Sequence, residues 1–114
     1  MEEQFEALQT AYEYIGNLDK GIKRLVEDFQ EGREEKGCEV LPLIAEGLDW
    51  LIKVINLTSE CHNGKISYEN INEKLNEVVE ALENEDYILI SDLFNYEILP
   101  VLCNIKKQIE IIIQ

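Results

Sequence analysis

His62 is the only histidine of the chain, and it follows Glu60 and Cys61 in the stretch Thr58 to Ser67. A nucleophilic or zinc centre would have to use it, because a Cys or Ser nucleophile needs an activating base and structural zinc needs four ligands. The other cysteines, Cys38 and Cys103, are far away in sequence, and no Cys-x-x-Cys occurs. The triplet Glu60, Cys61 and His62 therefore reads as a solvated loop. Cys38 and Cys103 fall in apolar helical surroundings, where a buried, inert thiol is expected. Di-iron helical proteins carry Glu-x-x-His pairs on two helices. This chain has none, which excludes that class.

Paired carboxylates are the remaining chemical candidate. Glu46-Gly47-Leu48-Asp49 places Glu46 and Asp49 one helical turn apart on one face. This matches half of the magnesium-binding pattern of all-α nucleotide pyrophosphohydrolases. The other half fails, because Glu34 and Glu35 are followed by Lys36-Gly37-Cys38-Glu39, one residue too many, and lie too close to Glu46. The alternative function of a metal-dependent nucleotide hydrolase rests on Glu46 and Asp49 alone. No Gly-rich phosphate loop is present. The expectation is a chain without catalytic, cofactor or metal residues, acting without enzyme chemistry.

What must position any site is a set of helices. The 114 residues are 46% apolar and 30% charged, an ordinary composition for one globular domain. About two-thirds of such a chain's surface can be buried on folding. Acids outnumber bases by 24 to 10, a net charge of −14, which argues against nucleic acid or an anionic membrane as partner. The three cysteines, the Met-Glu-Glu start and a longest unbroken apolar run of four residues, Tyr87 to Ile90, lead to the expectation of a reduced, cytoplasmic setting.

Leu8, Ala11, Ile15, Leu18, Ile22, Leu25 and Phe29 recur at alternating steps of three and four, a heptad seam. Tyr12 and Val26 widen it into a core-facing stripe. The charged stretch Gln30 to Gly37 reads as a turn. Val40, Leu41, Ile44, Leu48, Leu51, Ile52 and Ile55 form a second stripe, and Thr58 to Ser67 the longest loop. With Ser67 as N-cap, a third helix follows, carrying Ile71, Leu75, Val78 and Leu82. Asn84-Glu85-Asp86 supplies a tight turn, and a fourth helix runs from about Tyr87 to the end. No sustained alternation of period two suggests strands. The expected architecture is all-α: a four-helix, up-down-up-down bundle, one domain over residues 1–114, built from two related hairpins at about 1–57 and 66–114.

An internal match supports the pairing. Glu39-Val40-Leu41-Pro42-Leu43-Ile44 recurs as Glu97-Ile98-Leu99-Pro100-Val101-Leu102, offset by 58 residues. Pro42 and Pro100 are then expected to bend or restart the second helix of each hairpin at the same relative place, with a lined groove at the two kinks as the functional alternative. The spacing upstream of the match differs by five residues between the halves.

Two surface features point to a partner. Glu69, Glu73, Glu77 and Glu80 make an acidic ridge on the third helix. In the fourth helix 17 of the 27 residues from Tyr87 to Ile113 are apolar, and they ring it; Ile109, Ile111, Ile112 and Ile113 crowd its end. A helix apolar all round is either central or covered by a partner. Ridge and isoleucines are expected to form one protein interface, for a basic client helix or a second copy in a homodimer.

The runs Val78 to Tyr87, Asp92-Leu93 and Tyr96 to Pro100, with Ile44-Ala45-Glu46-Gly47-Leu48-Asp49-Trp50-Leu51, resemble a family of small uncharacterised helical proteins of clostridia and bacilli. The resemblance covers most of the chain and implies a bacterial protein in a motility-associated setting; it brings no catalytic residues with it. Size, acidity and hairpins are also similar to flagellar export chaperones. The functional expectation is a non-catalytic, chaperone-like adaptor in flagellar assembly that binds protein, with a purely structural homodimer as a further alternative.

Overall fold

The computed structural model describes residues 2–68 and 70–114. All regular structure among them is helical: α1 (Glu2–Gln30), α2 (Glu34–Leu57), a single-turn α3 (Ser59–His62), α4 (Ile71–Glu83) and α5 (Tyr87–Ile113). Within α5 the backbone widens into a π turn over Phe94–Ile98. The short α3 is the departure from four helices. It forms where a loop was expected, and Thr58 Oγ1 ends α2 by donating back to the Val54 and Ile55 carbonyls at 2.7 and 3.2 Å.

Every residue of the heptad seam in α1 is buried, from Leu8 to Phe29. That seam faces two neighbours, since α1 packs along α2 and along α5, while α4 packs on the first part of α5. The central helix is thus α1, and the apolar ring of α5 is only partly covered. Ile90, Phe94, Ile98, Leu102, Ile105 and Ile109 of α5 are buried. By length and composition α5 could also cross a membrane, with 27 residues and a best window of mean hydropathy 1.4. The same composition suits a helix with a wide core-facing stripe.

The turn between α1 and α2 is shorter than Gln30 to Gly37. Glu31, Gly32 and Arg33 close it, with Arg33 N–H donating to the Asp28 carbonyl at 2.7 Å and Gly32 N–H to that of Phe29 at 3.3 Å. The turn between α4 and α5 repeats this bonding 53 residues later: Asp86 N–H donates to Ala81 at 2.8 Å and Glu85 N–H to Leu82 at 3.0 Å. Both are helix-ending turns whose middle residue is left-handed, Gly32 at φ 81° and Glu85 at φ 53°. A glutamate pays steric strain there that glycine avoids. Glu85→Gly is expected to raise stability by about 0.5–1 kcal/mol, read as a higher urea midpoint at unchanged slope.

Gly37 lies inside α2, because the Phe29 ring occupies the space of a side chain; a Cβ there would sit 2.5 Å from the ring. Phe29 in turn stacks on Tyr87, centroids 5.6 Å apart, which ties the two turns together. Asp86 caps α5 by accepting from Leu89 N–H at 3.2 Å. Ser67 is not the N-cap; α4 starts at Ile71 after Asn70, left-handed at φ 73°, with no side-chain cap. Ser67 N–H instead donates to Gln108 Oε1 at 2.9 Å, pinning the connection against α5.

The hexapeptide match does not mark equivalent places. Pro42 lies ten residues beyond Gly32 and Pro100 fifteen beyond Glu85, a difference of about 7.5 Å along a helix. Pro42 sits within a continuous α2. Before Pro100 the helix takes its π turn, with Leu99 N–H donating to Phe94, five residues back. Part of the burial pattern runs in step at another offset: Leu41, Ile44, Leu48, Leu51 and Ile55 of α2 can be set beside Phe94, Ile98, Leu102, Ile105 and Ile109 of α5, all buried. The offset is 53 at Phe94 and 54 beyond it, and the π turn supplies the extra residue.

Candidate functional site

The chemical triplet is structural. His62 is buried, its Nε2–H donating to the Ile55 carbonyl at 3.0 Å and its Nδ1 accepting from Ile66 N–H at 3.4 Å. Both ring nitrogens are used in tying α3 and the following loop to α2. Cys61 Sγ donates to Gln4 Oε1 at 3.3 Å, and Glu60 Oε2 accepts from Gln4 Nε2 at 3.4 Å, so the same turn is held to the start of α1. The solvated-loop expectation is corrected here: the loop closes the end of the fold. Sequence position could not signal this, because nothing local shows that Thr58 and Ile66 are also buried.

Glu46 and Asp49 are exposed on α2, and Asp49 pairs with Lys53 at 3.0 Å. Among the described residues, no three His, Cys, Asp or Glu side chains gather as metal ligands. Cys103 is exposed, contrary to expectation, and Cys38 is half-buried. Burial pushes the Cys38 thiol up, with Glu34 adding to the shift. It is held protonated and is a poor nucleophile.

The expected interface comes apart into two places. Glu73, Glu77 and Glu80 are exposed on α4, and Glu69 lies outside the described residues. Glu77 and Glu80 line a cleft of about 210 Å³ with Leu89 and Leu93 of α5. Lys74 bridges the helices beside them, 3.1 Å from Glu77 and 2.8 Å from Glu97, so the ridge is partly neutralised. α4 packs mainly on the part of α5 up to the π turn, whereas Ile111 lies thirteen residues beyond Ile98, about 20 Å farther along. Of the terminal isoleucines, Ile109 is fully buried in the chain's own core and belongs to no surface. Ile112 and Ile113 pack half-buried against that core, and Ile111 alone is largely exposed, at 76%. Ridge and isoleucines do not share a face.

A different feature emerges between α2 and α4, whose backbones make no extended close approach. Cys38, Leu41, Pro42 and Ala45 face Leu75, Val78, Val79 and Leu82 across an apolar groove of about 210 Å³. Val79 is 52% exposed, while Leu75 and Leu82 are half-buried. The groove lies at the end of the fold that carries both hairpin turns. Glu35, Glu39 and Glu83 stand exposed on the outer sides of the same helices. The sequence reading placed a groove at two proline kinks; Pro42 lines this groove from within a continuous α2, and Pro100 is exposed elsewhere.

No curated protein and no solved structure matches this chain. A family model described as a domain of unknown function (DUF8042) matches residues 6–108, nearly the whole fold just described, and the chain belongs to that family.

Proposed function

We propose that the chain is a non-catalytic protein-binding adaptor that receives an amphipathic helix of a partner in the groove between α2 and α4. The observation that carries this reading is an almost wholly apolar trough, open to solvent, on a surface of net charge −14. Apolar side chains at helical spacing would fill the trough, and lysines or arginines beside them would meet Glu35, Glu39 and Glu83. In this reading the four long helices make an up-down-up-down bundle of two related hairpins. The trough is the seam that the bundle leaves unfilled. A cytoplasmic setting, with flagellar assembly as the context implied by resemblance, suits such a binder.

The test is fluorescence anisotropy with a labelled Leu/Lys amphipathic helix as probe. Binding should weaken steeply as salt is raised. It should fall at least tenfold in Val79→Glu, a change at a half-exposed position that leaves the fold intact. Equal binding of an all-polar peptide with the same charge would overturn the reading. A rise in melting temperature on saturation with magnesium or manganese would favour the hydrolase instead.

A further inference from the structure

The outer side of α2 carries a second apolar row unconnected with the groove. Leu43, Trp50 and Leu57 follow at intervals of seven and are 64%, 39% and 77% exposed. Seven residues are two helical turns, so the three form one stripe about 20 Å long. Trp50, the only tryptophan, stands edge-on to Tyr14 of α1 with centroids 5.0 Å apart, and with Thr10 and Tyr14 it lines a cleft of about 320 Å³. A preformed aromatic anchor at the centre of an apolar row is the usual make-up of a binding hot spot.

We infer that this face of α2 pairs with the same face of a second copy of the chain, the two helices running antiparallel about a two-fold axis at Trp50. The row is symmetric in spacing: Leu43 lies seven residues before Trp50 and Leu57 seven after it, so reversal sets each leucine against the other. The charges beside the row are complementary under the same operation. Glu46 lies four residues before Trp50 and Lys53 three after, and both are exposed. The two-fold therefore brings Glu46 of each chain beside Lys53 of the other, so that each lysine bridges its own Asp49 and the second copy's Glu46. At −14 per chain a copy is repelled overall; beside this row Lys53 offsets one of the two exposed carboxylates, Glu46 and Asp49. A parallel arrangement would instead set Glu46 against Glu46 and Lys53 against Lys53. The groove between α2 and α4 stays open in the pair.

Sedimentation equilibrium of the full chain is expected to show a monomer–dimer equilibrium, with Trp50 emission shifting to the blue as the dimer fills. Leu57→Asp should leave the helical circular dichroism unchanged and abolish the dimer. Glu46→Lys or Lys53→Glu alone should weaken association on the order of tenfold, by turning two attractive pairs into repulsive ones. The double variant should recover wild-type affinity at the same salt. A chain that stays monomeric at millimolar concentration overturns the inference, as does a dimer indifferent to Leu57→Asp. Failure of the double swap to restore affinity overturns the antiparallel pairing.

Discussion

Phe94→Ala is expected to lower the unfolding free energy by about 3–5 kcal/mol, whereas Tyr96→Ala, two residues away, changes it by less than about 0.5 kcal/mol. Phe94 is fully buried and Tyr96 is 69% exposed. The contrast arises from the π turn that begins at Phe94. From Ile90 the buried positions advance by four, to Phe94, Ile98 and Leu102. In a regular α-helix each step of four overshoots a full turn by about 40°, so three steps drift by about 120°. The wider turn absorbs that drift and returns Ile98 and Leu102 to the face that meets α1. Phe94 holds the widened backbone against the core, and its truncation leaves a cavity where the helix is least able to collapse. Urea unfolding checks both variants, with unchanged slopes showing that the unfolded reference is the same. Equal midpoints for the two would mean that the π turn faces the other way.

The second large effect lies where α1 crosses α2. Leu18→Ala should cost about 2–5 kcal/mol, as Leu18 is 4% exposed in the middle of the heptad seam. Gly47 is the residue it meets: a Cβ on Gly47 would stand 2.8 Å from Leu18 Cδ2 and 2.5 Å from Tyr14 Oη. Gly47→Ala alone should therefore destabilise by about 1–3 kcal/mol through overpacking, reduced by the roughly 1 kcal/mol helix preference of alanine over glycine. In the Leu18→Ala background the leucine contact is gone while that with Tyr14 Oη remains, so the new Cβ is relieved of part of the overpacking. The double variant should then be more stable than the two single losses added together, with a coupling of about 0.5–3 kcal/mol. Strict additivity would show that the helices slide apart instead of holding this contact.

How far the fold could be read in advance follows from the range of the interactions involved. The α1 seam from Leu8 to Phe29, the stripe of α2, the Asn84-Glu85-Asp86 turn and the start of α5 at Tyr87 were all legible, because helical period and turn chemistry act over a few residues. The neighbours of each face were not legible. Nothing local in Thr58 to Ser67 says that His62 will bridge Ile55 and Ile66, or that α3 will form there. The hexapeptide match at Pro42 and Pro100 misled for the same reason: likeness of residues carries no information on distance from the turn, and the turn bonding and several buried positions run in step at offsets of 53 and 54 instead.

The candidate sites divide along the same line. Composition and the lone histidine led to the expectation of a binding surface, an expectation that charge and residue inventory can raise without coordinates. Which apolar residues form that surface is a property of tertiary packing. Ile109 and Leu43 look alike in sequence, yet one is fully buried against α1 and the other stands 64% exposed. An apolar side chain is equally suited to a core and to an interface, and only the arrangement of neighbouring helices, with α4 too short to cover all of α5 and set apart from α2, decides which it becomes.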